Sequence, residues 1–246
     1  MILTIDTSTP ACTAALIGPD GTVHAQRDEI IGRGHAERLM PLIAEMIEGH
    51  VPTRIIVGTG PGSFTGLRIG IAAAHGLAIG WEVPLAGMSS LALLAAGAPG
   101  DGPVGVAVTG GHGELFVQQF SRSPLKVKSA VASLKPEAAA LAITAPLVVG
   151  SGAAALVGAR GDGEALELLP SAANAMLLPK VLRSLAVTPA SSPGTRVTIT
   201  RALKTSRTKA EAAKALGINR TDLYRRCKRF GIEIVGRGAS WAMHGV

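Results

Sequence analysis

The first residue able to do chemistry is a carboxylate. Asp6 ends the apolar run that starts at Ile2 and opens the turn "DTST". At the end of a first strand such a group can orient a metal or a phosphate. It can also bond its own turn, and that is the expected role. The second candidate is "GTGPGSFTGLRIG", residues 58–70, with five glycines behind the apolar run 55–57. Glycine-rich turns between a strand and a helix hold phosphates. The spacing excludes two common forms. Leu67 and Arg68 follow Gly66 where a P-loop needs Lys and then Ser or Thr. Gly60, Gly62 and Gly66 form GxGxxxG, one residue longer than the dinucleotide fingerprint. The residues favour a tight turn into a helix capped by Ser63 or Thr65, with an anion nest at the helix start as the alternative.

The remaining reactive side chains form no set. The six histidines, His24, His35, His50, His75, His112 and His244, show no HxxxH or HxH spacing. No GxSxG elbow is present. Thr109 stands where a second carboxylate would complete a two-carboxylate metal site. We therefore expect no catalytic residues, no metal and no cofactor bound by this chain. The two cysteines, Cys12 and Cys227, make neither a disulfide framework nor a metal knuckle and fit a reducing cytoplasm. The start of the chain lacks the basic opening of a secretory leader. The uncharged stretch 138–159 is cut by Pro146, Gly150, Ser151 and Gly152, so it reads as two elements and not as a membrane span.

The elements that position these residues follow from apolar periodicity. Strands are expected at 2–6, at 12–17 and at 22–28 around "GPDG". A helix follows at 35–48, with Leu39, Leu42, Ile43 and Met46 at helical spacing and Pro41 inside it. Next come a strand at 55–57, a helix at 67–79, a strand at 83–86 and a helix at 89–96. Gly70, Ala73, Ala74 and Gly76 give the 67–79 helix little side chain, so another backbone can approach, from its own sheet or from a partner. After "GAPGDGP" the order restarts: strands at 104–108, 114–120 and 125–131, a helix at 136–143, a strand at 147–149 and a helix at 153–159. A helix over 172–185, broken near Pro179, closes it. This order predicts an α/β protein of two like halves, 1–100 and a degenerate 101–188. A linker at 189–196, within Pro- and Ser-rich sequence, leads to a basic all-α tail at 197–246.

The charge supports that division. The net charge is +7, yet residues 195–246 hold 12 Lys and Arg against three acids, and residues 1–194 hold 12 against 14. Attraction to nucleic acid therefore belongs to the tail. There, Thr208 and Glu211 form a T-x-x-E capping box. Ala212, Ala213 and Leu216 face inward, Gly217 makes a turn, Ile218 fills it and Asn219 caps a second helix. Leu223, Cys227 and Phe230 line that helix's buried side. Arg220, Thr221, Arg225, Arg226, Lys228 and Arg229 remain for solvent or phosphate, in helix-turn-helix spacing.

"ILTIDTSTPACTAAL", "GRGHAERLMPLI", "GTGPGSFTGLRIGIAAAHGLAIG" and "PLAGMSSLALLA" resemble the TsaB (YeaZ) family over about residues 1–96, and more loosely to about 186. The resemblance implies an actin-like or Hsp70-like duplication of two ribonuclease-H-like halves. It implies a non-catalytic, cytoplasmic subunit that pairs with the catalytic subunit TsaD, which forms threonylcarbamoyl-adenosine next to the tRNA anticodon. The metal-binding histidines of TsaD have no counterpart here. ATP and threonylcarbamoyl-adenylate belong to the complex, the ATPase TsaE is a further partner, and a homodimer is a possible state of the chain when alone. Pairing is expected through helices 35–48 and 67–79, at His35, Leu39, Leu42, Ile43, Met46, Gly66, Arg68, Gly70, Ala73 and Ala74. The sequence departs from the family at "VTGGHGELF", where a "DARxGEVY"-like strand is usual, and lacks its C-terminal Pro-x-Tyr-x-Arg segment. Residues 197–232 instead resemble a Fis-type helix-turn-helix, which implies a DNA-binding regulator as the alternative function. An ATP-using enzyme of the actin-like class is a third reading. The missing second carboxylate and the loop spacing count against it.

Overall fold

A computed structural model describes residues 1–187 and, beyond them, Leu203, Ser206, 208–216, 220–229 and Ile232, without the side chains at 220, 222, 226 and 229. The linker at 189–196 lies outside the described residues. The chain divides into two compact units, Met1–Pro189 and Ala190–Val246.

The first unit holds two sheets with one plan. The first sheet contains β1 (Ile2–Asp6), β2 (Ala11–Ile17), β3 (Val23–Ile30), β4 (Arg54–Gly58) and β5 (Leu85–Met88), in the order β3-β2-β1-β4-β5. β1 runs antiparallel to β2 and parallel to β4. The second sheet contains β6 (Val104–Thr109), β7 (Leu115–Ser121), β8 (Lys126–Val127), β9 (Ala132–Leu134), β10 (Leu147–Val149) and β11 (Glu164–Leu166). Its order is β11-β10-β6-β7-β8, with β9 also on β7. β6 runs antiparallel to β7 and parallel to β10. β6 therefore repeats the place of β1, β7 that of β2 and β10 that of β4. The expected α/β fold of two like halves is observed.

The helices cover these sheets according to their apolar faces. α1 (His35–Ile47) and α2 (Phe64–Trp81) pack on one face of the first sheet. Pro41 does not interrupt α1. α4 (Pro136–Ala142) and α5 (Ala153–Arg160) cover one face of the second. Between the sheets lies α3 (Ser90–Gly97), "SLALLAAG", apolar on all sides and therefore enclosed. Among the described residues, no helix is long and apolar enough to cross a membrane.

Some boundaries differ from expectation. α2 is longer at both ends than 67–79, and β5 begins two residues late, because Val83 N still bonds to Ala78 O at the helix end. The strand expected over 125–131 is reduced to the two residues of β8, β9 follows it at Ala132–Leu134, and β11 has no counterpart in the expected order. The helix expected over 172–185 is corrected. It is two 3-10 turns, Ala172–Leu177 and Lys180–Leu182, and then a bridge from Leu185 to Gly87. Pro179 removes a helical donor. The surrounding backbone bonds to the first sheet instead. Ala172 N donates to Thr13 Oγ1 at 2.8 Å, Thr4 Oγ1 donates to Ala172 O at 2.9 Å, and Gly87 and Leu185 exchange bonds of 2.8 and 2.9 Å.

In the second unit, α6 (Lys209–Ala215) and α7 (Arg220–Arg229) are present. The capping box forms as expected, with Glu211 N on Thr208 Oγ1 at 3.1 Å and Thr208 N on Glu211 Oε2 at 3.2 Å. Leu203, Ala212, Ala213, Leu216, Leu223 and Cys227 make a small core of their own. Gly217, Ile218, Asn219 and Phe230 lie outside the described residues.

Candidate functional site

β1 delivers Asp6 to the turn at its carboxyl end, where the side chain is fully buried. Ser8 N donates to Asp6 Oδ1 at 2.8 Å and Ser8 Oγ at 2.6 Å. Ser90 Oγ donates to Oδ2 at 2.6 Å. Both oxygens are thus bonded within the chain, and the turn role is the one observed. Burial pushes the Asp6 carboxyl above the usual carboxylate range, while the bonds from Ser8 and Ser90 and the nearby His35 draw it down.

The glycine-rich loop packs on that same turn. A methyl group on Gly62 would overlap the Ser8 carbonyl oxygen, one on Gly66 the Thr7 carbonyl oxygen, and one on Gly70 the Thr7 hydroxyl. Ser63 caps α2, with Oγ accepting from Gly66 N at 3.2 Å. The N–H groups of Thr59, Gly60, Ser63, Gly66 and Leu67 all bond within the chain. The loop is a close-packed turn, and its glycines admit the neighbouring backbone.

α2 therefore has two small-residue faces. Gly66, Gly70 and Ala74 are buried against the first sheet and its turn. Ala72, Gly76 and Gly80, spaced by four, are exposed, and open space surrounds Gly76 and Gly80. Ile79 beside them is 77% exposed, and Phe64, at the helix start with the Arg68 guanidinium over its ring, is 67% exposed. On α1 the exposed positions are Ala36, Glu37, Met40, Pro41, Ala44 and Glu45, with Met40 44% exposed. α1 and α2 pack against each other.

The residues expected at the partner interface divide by burial. His35, Leu39, Leu42, Ile43 and Met46 are buried in the chain's own core, as are Gly66, Gly70 and Ala74. The His35 ring bonds through Nε2 to the Thr9 and Ala11 carbonyls, at 3.0 and 3.2 Å. Arg68 and Ala73 are half-exposed. The apolar stripe of an amphipathic helix faces its own fold first, so positions chosen for apolar periodicity are those already used. The four-residue spacing of Ala72, Gly76 and Gly80 is the signal that marks the outer face.

At the end of β6, Thr109 N bonds to Ser151 Oγ at 3.1 Å, and Lys135 Nζ bonds to the His112 carbonyl. Among the described residues, no three His, Cys, Asp or Glu are grouped as metal ligands. Cys12 is buried in β2, where burial, and then Glu29, push its thiol up to about 11. In the second unit, Thr221, Arg225 and Lys228 are exposed on α7, at spacings of four and three that put them on one face. Arg220, Arg226 and Arg229 belong to the same helix, but their side chains are outside the described set.

Comparison with known proteins covers both units. Residues 24–142 match the family model described as TsaD, tRNA N6-adenosine threonylcarbamoyltransferase. Residues 196–230 match that of the bacterial regulatory proteins of the Fis family. The chain is 40% identical over 147 residues to the tRNA threonylcarbamoyladenosine biosynthesis protein TsaB of Escherichia coli strain K12, covering 55% of this chain and 63% of that one. It is 38% identical over 100 residues to TsaB of Bacillus subtilis strain 168, covering 39% of this chain and 43% of the relative. The chain thus spans less than two thirds of these relatives. YeaZ from Pseudomonas aeruginosa superposes with a TM-score of 0.61 at 29% identity, over 70% of this chain and 88% of that structure. By these matches, the duplicated sheet and the turn packed on "GPGSFTG", the body of this chain is similar to the TsaB and YeaZ proteins, and it is followed by a segment similar to Fis-type regulators.

Proposed function

We propose that this chain is a non-catalytic subunit of the machinery that forms threonylcarbamoyl-adenosine in tRNA, and that it pairs with a TsaD-type catalytic subunit through the outer faces of α1 and α2. One observation carries the pairing: the exposed stripe of Ala72, Gly76 and Gly80 on α2, with Ile79 exposed on the same helix and Met40 exposed on α1, which packs against it. Small residues let a partner helix approach closely. Burying Ile79, 77% exposed, is worth up to about 1.5–3 kcal/mol, and burying the exposed part of Met40 roughly half of that. The names of the relatives support the pathway. In this reading ATP, threonylcarbamoyl-adenylate, the ATPase TsaE and tRNA meet the complex and not this chain alone, and a second copy occupies the same face when the partner is absent.

The test is made in a cell depleted of its own TsaB. Expression of this chain restores threonylcarbamoyl-adenosine in hydrolysed tRNA, measured by mass spectrometry. An absence of the nucleoside, with the chain expressed and folded, contradicts the reading.

A second reading concerns the tail. The match to the Fis family, and the cationic face of α7 with Thr221, Arg225 and Lys228, favour a DNA-binding role. In it the body serves to dimerise or sense.

A further inference from the structure

Asp6 and Ser90 are 84 residues apart, yet they meet beneath the loop that leads into α2. Ser90 holds both backbone groups of Gly60. Its Oγ accepts from Gly60 N at 3.2 Å, and its N donates to Gly60 O at 3.2 Å. On the other side of Asp6, Ser8 O accepts from Ser63 N at 2.7 Å, and Ser63 is the residue that caps α2. Thr7 Oγ1 donates to Gly66 O at 2.8 Å in the first turn. Gly58 completes the fit, since a methyl group there would overlap Asp6 Oδ2. Asp6, Thr7, Ser8 and Ser90 are all buried.

Each bond in this set ends on loop 59–63, on the first turn of α2 or on the residue that holds them. A buried polar network with every member satisfied has one arrangement. A carboxyl at its centre is costly to bury unless it is bonded, and here three donors bond it.

We infer that Asp6 is a positioning residue for partner pairing: through Ser8 and Ser90 it fixes loop 59–63 and the start of α2, and so sets where the outer face of α2 meets the partner. This rests on the pairing reading above. Asp6 itself is buried and acts only through the residues it bonds.

Three variants of the full chain test it: Asp6→Ala, Asp6→Asn and Ser90→Ala. Affinity for TsaD is measured by titration, and amide hydrogen exchange by mass spectrometry. Asp6→Asn keeps an acceptor for Ser8 and a partner for Ser90, so it pairs within about threefold of wild type. Asp6→Ala weakens pairing by roughly tenfold or more, and Ser90→Ala by a smaller factor. In both, exchange quickens at residues 59–67 while β1, β2 and β4 stay protected. If Asp6→Ala does not fold, the comparison of Ser90→Ala with Asp6→Asn decides. Wild-type affinity in Ser90→Ala and Asp6→Ala overturns the inference, as does unchanged exchange at 59–67. If the wild-type chain forms no complex, the pairing reading fails first. Exchange then decides whether Asp6 fixes the loop: faster exchange confined to 59–67 supports it, and unchanged exchange overturns it.

Discussion

At the residue scale, Asp6 is the group with a cost built into it. Its carboxyl titrates above the ordinary value of 3.8, chiefly through burial. The folded chain therefore holds this proton more tightly than the unfolded chain does. The contribution is fully present below pH 3.8 and is lost as pH rises through the raised folded value. Asn at this position has no proton to lose. We expect the melting temperature of wild type, relative to Asp6→Asn, to fall as pH rises from about 4 toward neutrality. Melting curves of both proteins at half-unit steps of pH check this. A difference that stays constant, or that grows in the other direction, contradicts the assignment. Glu29 and Glu45 move the opposite way, held down by Arg38. They are common to both proteins and cancel in the comparison. Asp6 was legible in the sequence as a turn residue, because "DTST" is a turn by composition. Its bond to Ser90 was not, because nothing local joins positions so far apart.

At the scale of the element, α2 separates packing from pairing within one helix. Gly66 and Gly76 are the same residue type ten positions apart, but one is pressed on the Thr7 carbonyl and the other faces open space. Gly66→Ala should destabilise the fold by about 1–3 kcal/mol, because the added carbon overlaps the backbone. Gly76→Glu should leave stability unchanged or raised by up to about 1 kcal/mol, since glutamate favours a helix over glycine. It also places a charge in the middle of the proposed seam, so pairing is lost. Urea unfolding and a binding titration on both variants read the two effects separately. Retained pairing in Gly76→Glu removes α2 from the interface. The helix was legible as a long Gly- and Ala-rich apolar segment behind a capping turn, and α1 from its apolar periodicity. Which small residues face outward was not, because a Gly- and Ala-rich helix offers two similar faces until its sheet is known. The segment 172–185 misled for a related reason. Its apolar spacing suits a helix, but Thr4 and Thr13 take its backbone bonds from distant strands.

At the scale of the whole molecule, the charge division gives two units with different chemistry. The body carries a slight excess of acids and an exposed small-residue stripe on α2, while the tail carries the net positive charge. If the tail binds duplex DNA, the full chain should lose affinity linearly in log–log plots against salt, with a slope of about −0.9 for each phosphate neutralised. Fluorescence anisotropy between 50 and roughly 200 mM salt measures it. A flat plot, or no binding at the lowest salt, contradicts the DNA reading. Arg225→Ala together with Lys228→Ala should reduce the slope by about two. The tail's two-helix plan was legible because its capping box and buried apolar positions are local. The function proposed for the body rests on resemblance and on the exposed faces of α1 and α2.

The most direct test of pairing is light scattering after size exclusion, on this chain mixed with the TsaD of the same cell, for wild type and Gly76→Glu. The account predicts a heterodimer with wild type and separate species with the variant. A wild-type mixture that elutes as two unbound proteins, or a heterodimer that survives Gly76→Glu, would contradict it.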